Sequence, residues 1–303
     1  MAAWQLTKPV AFLVFNRPQT TREVFEQIRH ARPPQLLIIA DGPRDHVAGE
    51  AKKCATVRDI VADVNWPCDV RYNYSDVNLG CKKRISSGLT WAFDTVDEAI
   101  ILEDDCLPHP TFFRYCEELL DKYRQDERIM VISGDNFQLG RRRSEFSYYY
   151  SHFVHVWGWA SWSRAWKYYD VTMGKWDELE KTSWLKERFH DTASVKYWKK
   201  VYTDVHKGVI DTWDYQWTFA CWQKNGLAIL PHVNLISNRG FQKSGTHTNC
   251  FSPLSNLPVE PMSFPMKHPA DIARDIASDD FTQREYINPN ILTRIKQRLA
   301  TLR

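Results

Sequence analysis

Three carboxylates follow a short apolar run near the start of the second third of the sequence. Glu103, Asp104 and Asp105 come directly after 99–102, a run typical of a buried strand. Acids gathered at the end of a buried strand repel one another. A divalent cation relieves this repulsion, because Mg²⁺ and Mn²⁺ prefer carboxylate oxygens. The triplet is therefore a candidate metal site, and the alternative is a solvated acidic loop ahead of a helix predicted at 111–123.

Polar side chains also follow two earlier apolar runs. Asn16 and Arg17 come after 9–15, and Asp41 comes after 36–40. The carboxyl ends of parallel strands meet at one edge of a sheet, so these residues and the triplet should converge in one crevice. There Asp41 could accept hydrogen bonds from a base or ribose, and Arg17 could face a phosphate. Each could instead be an ordinary turn residue at a strand end.

A run of three cations opens a predicted helix shortly before the triplet. Lys82, Lys83 and Arg84 lie in its first turn, where positive charge opposes the helix dipole. A nearby anion would relieve this unfavourable placement, and a diphosphate would do so well. The alternative is a solvated helix face.

The elements that must position these residues alternate along the first half of the chain. Apolar runs at 9–15, 36–40, 70–74 and 99–102 are each followed by a helical pattern. This alternation predicts an α/β fold with a mostly parallel central sheet flanked by helices. Neither GxGxxG nor GxxxxGK[ST] occurs, so the dinucleotide fingerprint and the P-loop are not supported.

The second half is rich in tryptophan, with ten of the 13 tryptophans between Trp157 and Trp222. Flat rings can stack on the apolar faces of sugars, although core packing should account for most of them. Gly158 lies between two tryptophans and indicates a tight turn with a close backbone approach. Further on, Asp211 is expected to be the N-cap of a helix, with Asp214 in its first turn or over the cleft.

Size and composition fit a soluble globular protein of 303 residues, 43% hydrophobic and 25% charged. The net charge of +3 is too small to indicate a nucleic-acid partner. No apolar run approaches the roughly 20 residues of a membrane span, and the N-terminus lacks a signal-peptide core. Seven cysteines form no metal pattern and, being odd in number, do not suit a disulfide framework. We therefore expect reduced cysteines and a cytoplasmic location.

The C-terminal region changes character. The loop at 237–249 carries glycine, lysine and His247, and suits an anion or a metal. Several prolines after it predict an irregular arm at 251–303 rather than a packed element. The arm ends in a basic amphipathic helix from Ile291, which either packs on its own domain or contacts the inner face of a membrane peripherally.

The order of these motifs resembles that of nucleotide-sugar glycosyltransferases of the GT-A fold. Asn-Arg-Pro, Asp-Gly, Asn-Leu-Gly, Glu-Asp-Asp, Trp-Gly-Trp and an Asp/Trp helix follow one another along 9–250. The segments 101–105 and 110–113 look like those of the inverting N-acetylglucosaminyltransferase I group and of bacterial glycosyltransferase-2-like (HlpA-like) proteins. The resemblance implies one catalytic domain at 1–250, with a nucleotide-sugar half at 1–135 and an acceptor half at 136–250.

The resemblance also implies roles at the metal and the catalytic base. Asp105 would coordinate Mn²⁺ or Mg²⁺ bound to the donor diphosphate, and His247 would reach the metal or the diphosphate. Glu103 and Asp104 would hold ribose or sugar hydroxyls and support the metal. Asp214 matches the position of the catalytic base, and Asp211 is the competing choice.

The remaining implied contacts concern the two substrates. The nucleotide-sugar residues would be Asn16, Arg17, Asp41, Lys82 and Lys83, and the acceptor side would be lined by Trp157, Gly158, Trp159 and Trp162. The expected reaction is hexosyl or N-acetylhexosaminyl transfer from a nucleoside-diphosphate sugar, such as a UDP-sugar, to a hydroxyl of a glycan or glycoconjugate. The alternatives are a nucleotidyltransferase that makes nucleotide sugars, and a noncatalytic carbohydrate- or nucleotide-binding protein on the same fold.

Overall fold

The computed structural model describes residues 4–240, 254 and 256–289. Within them the strands are β1 Val10–Val14, β2 Gln35–Ala40, β3 Asp69–Tyr74, β4 Glu98–Glu103, β5 Cys106–Pro108, β6 Ile129–Ser133, β7 Tyr148–Ser151, β8 Trp159–Trp162, β9 Leu227–Pro231 and β10 Ile236–Asn238. The helices are α1 Pro18–Ala31, α2 Glu50–Ala62, α3 Gly80–Thr95, α4 Thr111–Lys122, α5 Ser163–Trp166, α6 Trp176–Leu179, α7 Trp184–Arg188, α8 Thr192–His206, α9 Asp214–Gln223 and α10 Ile276–Thr282, which continues as a π-helical turn, Gln283–Ile287.

The described strands form one large central sheet and one small one. The large sheet has the order β3-β2-β1-β4-β8-β6-β9-β7, and β5 pairs with β10 in the small one. In the large sheet β7 and β8 run antiparallel to their neighbours, and the other adjacent pairs are parallel. The predicted mixed α/β fold with a mostly parallel sheet is confirmed.

Both faces of the sheet are covered, because side chains alternate between two cores along each central strand. On β1, Phe12 and Val14 pack with α1 in one core, and Leu13 packs in the other with residues of α3. The apolar stripe of α1, which includes Phe25 and Ile28, is buried. The sequence therefore specifies the central strands and their covering helices well.

Two helical segments depart from a simple amphipathic pattern. In α2 the first residue, Glu50, is buried, whereas Ala51 is exposed. The segment 176–188 contains two short helices, α6 and α7, separated by a turn around Thr182. Glu50 can be buried because its carboxylate accepts hydrogen bonds from neighbouring polar residues.

The segment at 256–289 packs against the domain, so the prediction of an arm that does not pack is wrong there. Met262 and Met266 enter the core beneath α4, and Arg274 forms a bridge beside β7. Asp279 of α10 is buried and accepts hydrogen bonds from His152 N and the Arg274 Nε. The prolines interrupt regular secondary structure in this segment, but its side chains can still be buried. The terminal amphipathic helix lies outside the described residues, and no helix within them is long and apolar enough to cross a membrane.

Candidate functional site

A cavity of about 730 Å³ opens where the order of strands reverses. The chain passes from β1 to β2 and β3 on one side and returns to β4 on the other side of β1. Crossovers that leave in opposite directions open a crevice at the carboxyl ends of these strands. Arg17 follows β1 and the 103–105 triplet follows β4, so both line this crevice, as predicted. The volume lies within the range of small-molecule sites.

Arg17 binds the carboxylate triplet. Its Nη1 donates to Asp104 Oδ1 at 2.8 Å and to Asp105 Oδ2 at 2.7 Å. Burial lowers the pKa of Arg17, but the attraction of these two carboxylates outweighs it and raises the pKa overall. The side chain that was predicted to face a phosphate is therefore engaged with acids, and it fixes two of the three carboxylates in place.

Asp104 is the most enclosed member of the triplet, with 4% of its surface exposed. It also accepts a hydrogen bond from Phe15 N at 3.0 Å. Burial raises the pKa of Asp104, and it raises the pKa of Glu103, where repulsion from Asp105 adds to the effect. The triplet thus carries the mutual repulsion that the sequence predicted, and Arg17 offsets only part of it.

Negative charge is in excess over the part of the cavity lining that the structure describes. Its carboxylates are Asp41, Glu103, Asp104, Asp105, Asp211 and Asp214, and its guanidinium groups are Arg17, Arg44 and Arg84. With every group ionised, the six described acids exceed the three described cations by three negative charges, and the raised pKa of Glu103 reduces this surplus at neutral pH. Such a cavity disfavours a diphosphate unless a cation enters with it.

Asp105 lies at the mouth of the β5–β10 ribbon. Its carbonyl oxygen accepts from Arg239 N at 2.7 Å, and the Cys106 thiol approaches its Oδ1 at 3.5 Å. The residues that the structure describes contain no group of three or more His, Cys, Asp or Glu side chains placed to hold a metal, and His247 lies outside them. Mg²⁺ is commonly held by one or two carboxylates together with substrate phosphates, so this donor set fits a cation that is shared with a ligand.

Gly240 gives the first testable consequence of this arrangement. A Cβ added at Gly240 would lie 2.1 Å from Asp105 Oδ2, a separation that no real contact allows. We expect Gly240→Ala to displace the Asp105 carboxylate and to weaken, by about tenfold or more, the nucleotide binding in Mn²⁺ that is proposed below, measured by calorimetric titration. Gly174→Ala, where the nearest atom is 3.4 Å away on an exposed loop, is the control. Equal affinity in the two variants would contradict the placement of Asp105.

Asp41 has a structural role that the sequence did not separate from a binding role. Its carboxylate accepts hydrogen bonds from the backbone N–H groups of Gly42, Leu79 and Gly80, at 2.9–3.2 Å, and from Asn78 Nδ2 at 3.1 Å. These bonds hold the Asn-Leu-Gly turn at the start of α3. The predicted contact with a base or ribose would have to compete with them, so Asp41 is better described as an anchor for the cavity wall.

Of the three cations at 82–84, Arg84 is the one that lines the described cavity. It is buried and its Nη2 donates to the Asn73 carbonyl at 2.9 Å. Within the described part of the chain, neither Lys82 nor Lys83 belongs to the cavity lining. The helical turn places the third residue of the run inward and the first two outward, and the diphosphate contacts expected of Lys82 and Lys83 stay a prediction.

Asn16 serves the site indirectly through a residue that sequence reasoning missed. Its Nδ2 donates to Glu50 Oε1 at 2.7 Å, and Glu50 in turn binds the Arg44 guanidinium and its backbone N–H. Arg44 lines the cavity, whereas Asn16 does not appear among the described lining residues. The predicted nucleotide contact of Asn16 is therefore replaced by support of Arg44. Nothing in the sequence singled out Glu50, because its burial is visible only in the structure.

Glu50 gives a stability prediction. The hydrogen bonds of Arg44 lower the pKa of Glu50 to about 2. A carboxyl whose pKa is lowered by folding stabilises the protein above its unfolded-state pKa, and the benefit disappears as the pH falls toward the folded-state pKa. We expect Glu50→Gln to lower the free energy of unfolding by about 2 kcal/mol at pH 7, as for a lost charged hydrogen bond.

Urea unfolding of wild type and Glu50→Gln at pH 7 and pH 3 measures this effect. The difference should shrink at pH 3. Asp63→Asn, which removes an exposed ion pair with Arg29, is the control and should change stability much less. A pH-independent difference would show that the Glu50 charge is not what stabilises the fold.

Asp214 begins α9 and Asp211 lies on the preceding loop; both line the cavity, and Asp211 is the more exposed of the two. Asp214 Oδ1 accepts hydrogen bonds from the Thr212 hydroxyl and from Tyr215 N, the latter at 3.0 Å. The N-cap position is Trp213, two residues later than predicted, and it makes no side-chain capping bond. The predicted N-cap role of Asp211 is wrong, and Asp214 is the better placed of the two acids.

The Trp-Gly-Trp motif divides between cavity and core. Gly158 has a φ of 69°, and a Cβ there would lie 2.4 Å from Ile236, which confirms the predicted close approach. Trp157 lines the cavity, and its backbone N–H donates to Asp135 at 3.0 Å. Trp159 is fully buried and packs 6.0 Å from the Trp213 ring, and Trp162 is also buried. Alternation along β8 turns these two rings into the cores, so they do not line an acceptor surface.

Comparison with known proteins adds little to this geometry. No family model matches the chain, and no curated protein matches it. Among solved structures, a UDP-glucose pyrophosphorylase complexed with UDP-glucose is similar over 48% of this chain and 62% of its own, less than two thirds, at 12% identity and a TM-score of 0.28. An apo UDP-glucose pyrophosphorylase (9% identity, 73% and 90% coverage, TM-score 0.35) and mouse xyloside xylosyltransferase 1 (9%, 70% and 80%, 0.33) are also similar. With TM-scores this low, the similarities support no functional assignment.

Proposed function

We propose that the protein is a metal-dependent, inverting glycosyltransferase of the GT-A fold. It transfers a hexosyl or N-acetylhexosaminyl group from a nucleoside-diphosphate sugar, expected to be a UDP-sugar, to a hydroxyl of a glycan or glycoconjugate. The observation that carries this proposal is the surplus of carboxylates in a cavity of nucleotide-sugar size at the strand switch point. Inversion rests on the sequence resemblance alone.

The donor side of the cavity would combine anionic and cationic groups. Asp105 would hold the divalent cation, Mn²⁺ or Mg²⁺, with Glu103 and Asp104 in support. When bound, such a cation neutralises negative charge on a departing nucleoside diphosphate. Arg44 and Arg84 supply preorganised positive charge on the same lining, where it stabilises a leaving diphosphate most effectively in a low-dielectric site.

Asp214 would act as the general base. It lines the cavity, and its Oδ1 is oriented by the Thr212 hydroxyl and the Tyr215 backbone. In a single displacement it takes the proton from the acceptor hydroxyl as the new glycosidic bond forms and the bond to the diphosphate breaks. Trp157 on the same lining would help to exclude water, which otherwise hydrolyses the donor.

Product analysis tests the reaction type. The purified protein is incubated with a panel of nucleoside-diphosphate sugars, Mn²⁺ and a set of methyl glycosides as hydroxyl acceptors, with and without pyrophosphate. A transferase releases the nucleoside diphosphate without pyrophosphate. A nucleotidyltransferase releases nucleoside triphosphate and sugar 1-phosphate only when pyrophosphate is present. Binding without turnover under either condition would instead favour the noncatalytic alternative and overturn the proposal.

A further inference from the structure

A second cavity, of about 250 Å³, adjoins the first. Asp214 and Tyr215 line both cavities, so the two meet at the residue assigned as the base. A group held in the second cavity would therefore lie next to Asp214. An acceptor hydroxyl must also lie next to the base that takes its proton.

The walls of the second cavity are mainly aromatic. Phe137 packs against His155 with ring centroids 4.4 Å apart and against Trp157 at 5.2 Å, and Trp198 packs against Tyr215 at 6.0 Å. The polar groups on its lining include hydroxyls of Thr218 and Thr282 and of three tyrosines, Tyr197, Tyr215 and Tyr286. Flat rings with hydroxyl groups between them suit a ligand that has both C–H faces and hydroxyls.

Charge on the lining is almost absent. Asp214 is the one acid among the described lining residues, and they include no lysine or arginine. Burial lowers the pKa of His155 to about 3, so its ring is neutral at physiological pH. A carboxylate or phosphate on the ligand would thus meet Asp214 without a compensating cation, and an anionic ligand is disfavoured.

The far wall comes from the C-terminal segment and is held firmly. Thr282, Tyr286 and Ile287 line the cavity. Gln138 Nε2 donates to Thr282 Oγ1 at 3.0 Å, and Trp198 Nε1 donates to Gln283 Oε1 at 3.0 Å. These bonds fix the segment against α8 and the loop after β6, so the cavity has a preformed shape.

We propose that this cavity is the acceptor subsite and that it binds one uncharged monosaccharide unit, the terminal residue of a glycan. The inference rests on the proposed transferase function and specifies its acceptor class. The aromatic walls stack on the C–H faces of the sugar ring, and the tyrosine and threonine hydroxyls bind its hydroxyl groups. One of those hydroxyls faces Asp214.

Saturation-transfer NMR with the full-length protein, Mn²⁺ and a nucleoside diphosphate tests this subsite. The probes are the methyl glycosides of glucose, galactose, mannose and N-acetylglucosamine, with methyl glucuronide as the anionic comparison. We expect saturation transfer from the protein to at least one neutral probe, and saturation transfer to the glucuronide that is at least fivefold weaker. Tyr286→Ala should reduce transfer to the neutral probe at least fivefold, and Tyr286→Phe should retain most of it because the ring remains. Tyr72→Ala, on the exposed strand β3, is the control.

The outcomes separate this inference from the proposed function. Three outcomes would overturn the subsite: saturation transfer that is unchanged in Tyr286→Ala, equal saturation transfer to the glucuronide, or no saturation transfer to any neutral probe. If the wild-type protein binds the nucleotide in any of those cases, the transferase proposal stands. If the wild-type protein binds no nucleotide, both the subsite and the transferase proposal are rejected. If Tyr286→Ala does not fold, Phe137→Leu supplies the same comparison from the opposite wall.

Discussion

Asp105→Asn should abolish Mn²⁺-dependent release of nucleoside diphosphate, lowering kcat/KM by a factor of about 100 or more. The variant keeps the size of the side chain but removes the charge at the point where Asp105 faces Arg17 and the cavity. A neutral amide is a weaker ligand for a hard cation, so Mn²⁺ and the diphosphate should bind together far less tightly. Steady-state kinetics across a Mn²⁺ titration measures the loss.

A matched acid outside the cavity controls for general effects of lost charge. Asp63→Asn removes an exposed carboxylate at the end of α2 and should leave kcat/KM and its Mn²⁺ dependence unchanged. If Asp105→Asn kept the wild-type rate and the same Mn²⁺ dependence, the assignment of Asp105 to the cation would be wrong. Activity in the presence of EDTA would reject metal dependence as a whole.

Asp214→Asn should lower kcat by a factor of about 10²–10⁴, the usual contribution of a general base, and should leave nucleotide binding unchanged. The amide cannot accept the proton of the acceptor hydroxyl, although it can still accept the bond from Tyr215 N. The separation of kcat from nucleotide affinity distinguishes the base from a residue that binds donor. Turnover kinetics and titration calorimetry on the same preparation measure the two quantities.

Asp211→Asn is the natural comparison, because it changes the competing acid three residues away. Asp211 is exposed and lies before the helix begins, so its loss should reduce kcat far less than the loss of Asp214. The reverse order of effects would assign the base to Asp211. Equal and small effects in both variants would mean that neither carboxylate takes the proton.

The sheet and its covering helices could be predicted because local patterns determine them. Continuous apolar runs such as 10–14 and 36–40 form strands that are buried on both faces, and the stripe of α1 has the helical period. Parallel strand direction then places Arg17 and the 103–105 triplet in one crevice. The ends of the helices were predicted less accurately. For example, α9 begins later than the sequence predicted.

The roles of individual polar residues could not be predicted in the same way. Periodicity indicates which face is buried, but not which partner receives a hydrogen bond. Asp41 binds backbone N–H groups of the Asn78–Gly80 turn, and Asn16 binds Glu50, because tertiary packing brings these groups together. The sequence shows three cations at 82–84. Which of them lines the cavity depends on how α3 is rotated about its axis, and the structure shows that it is Arg84.

The second cavity was beyond sequence reasoning for a related reason. Its walls come from Phe137, Trp198, Tyr215 and Tyr286, which are far apart in the chain. The segment that contains Tyr286 was expected to lie outside the domain, since prolines around Pro261 and Pro265 interrupt regular structure. Buried side chains such as Met262 and Asp279 nevertheless hold it in place.

The most direct test of the central claim is a thermal-shift measurement with a panel of nucleoside diphosphates, in Mn²⁺ or in EDTA. A ligand that binds the native state raises the apparent Tm by mass action. We predict that one nucleoside diphosphate, expected to be UDP, raises the Tm in Mn²⁺ but not in EDTA, and that Asp105→Asn loses the shift. No shift with any nucleotide, or a shift that is independent of Mn²⁺ and of Asp105, would contradict the account.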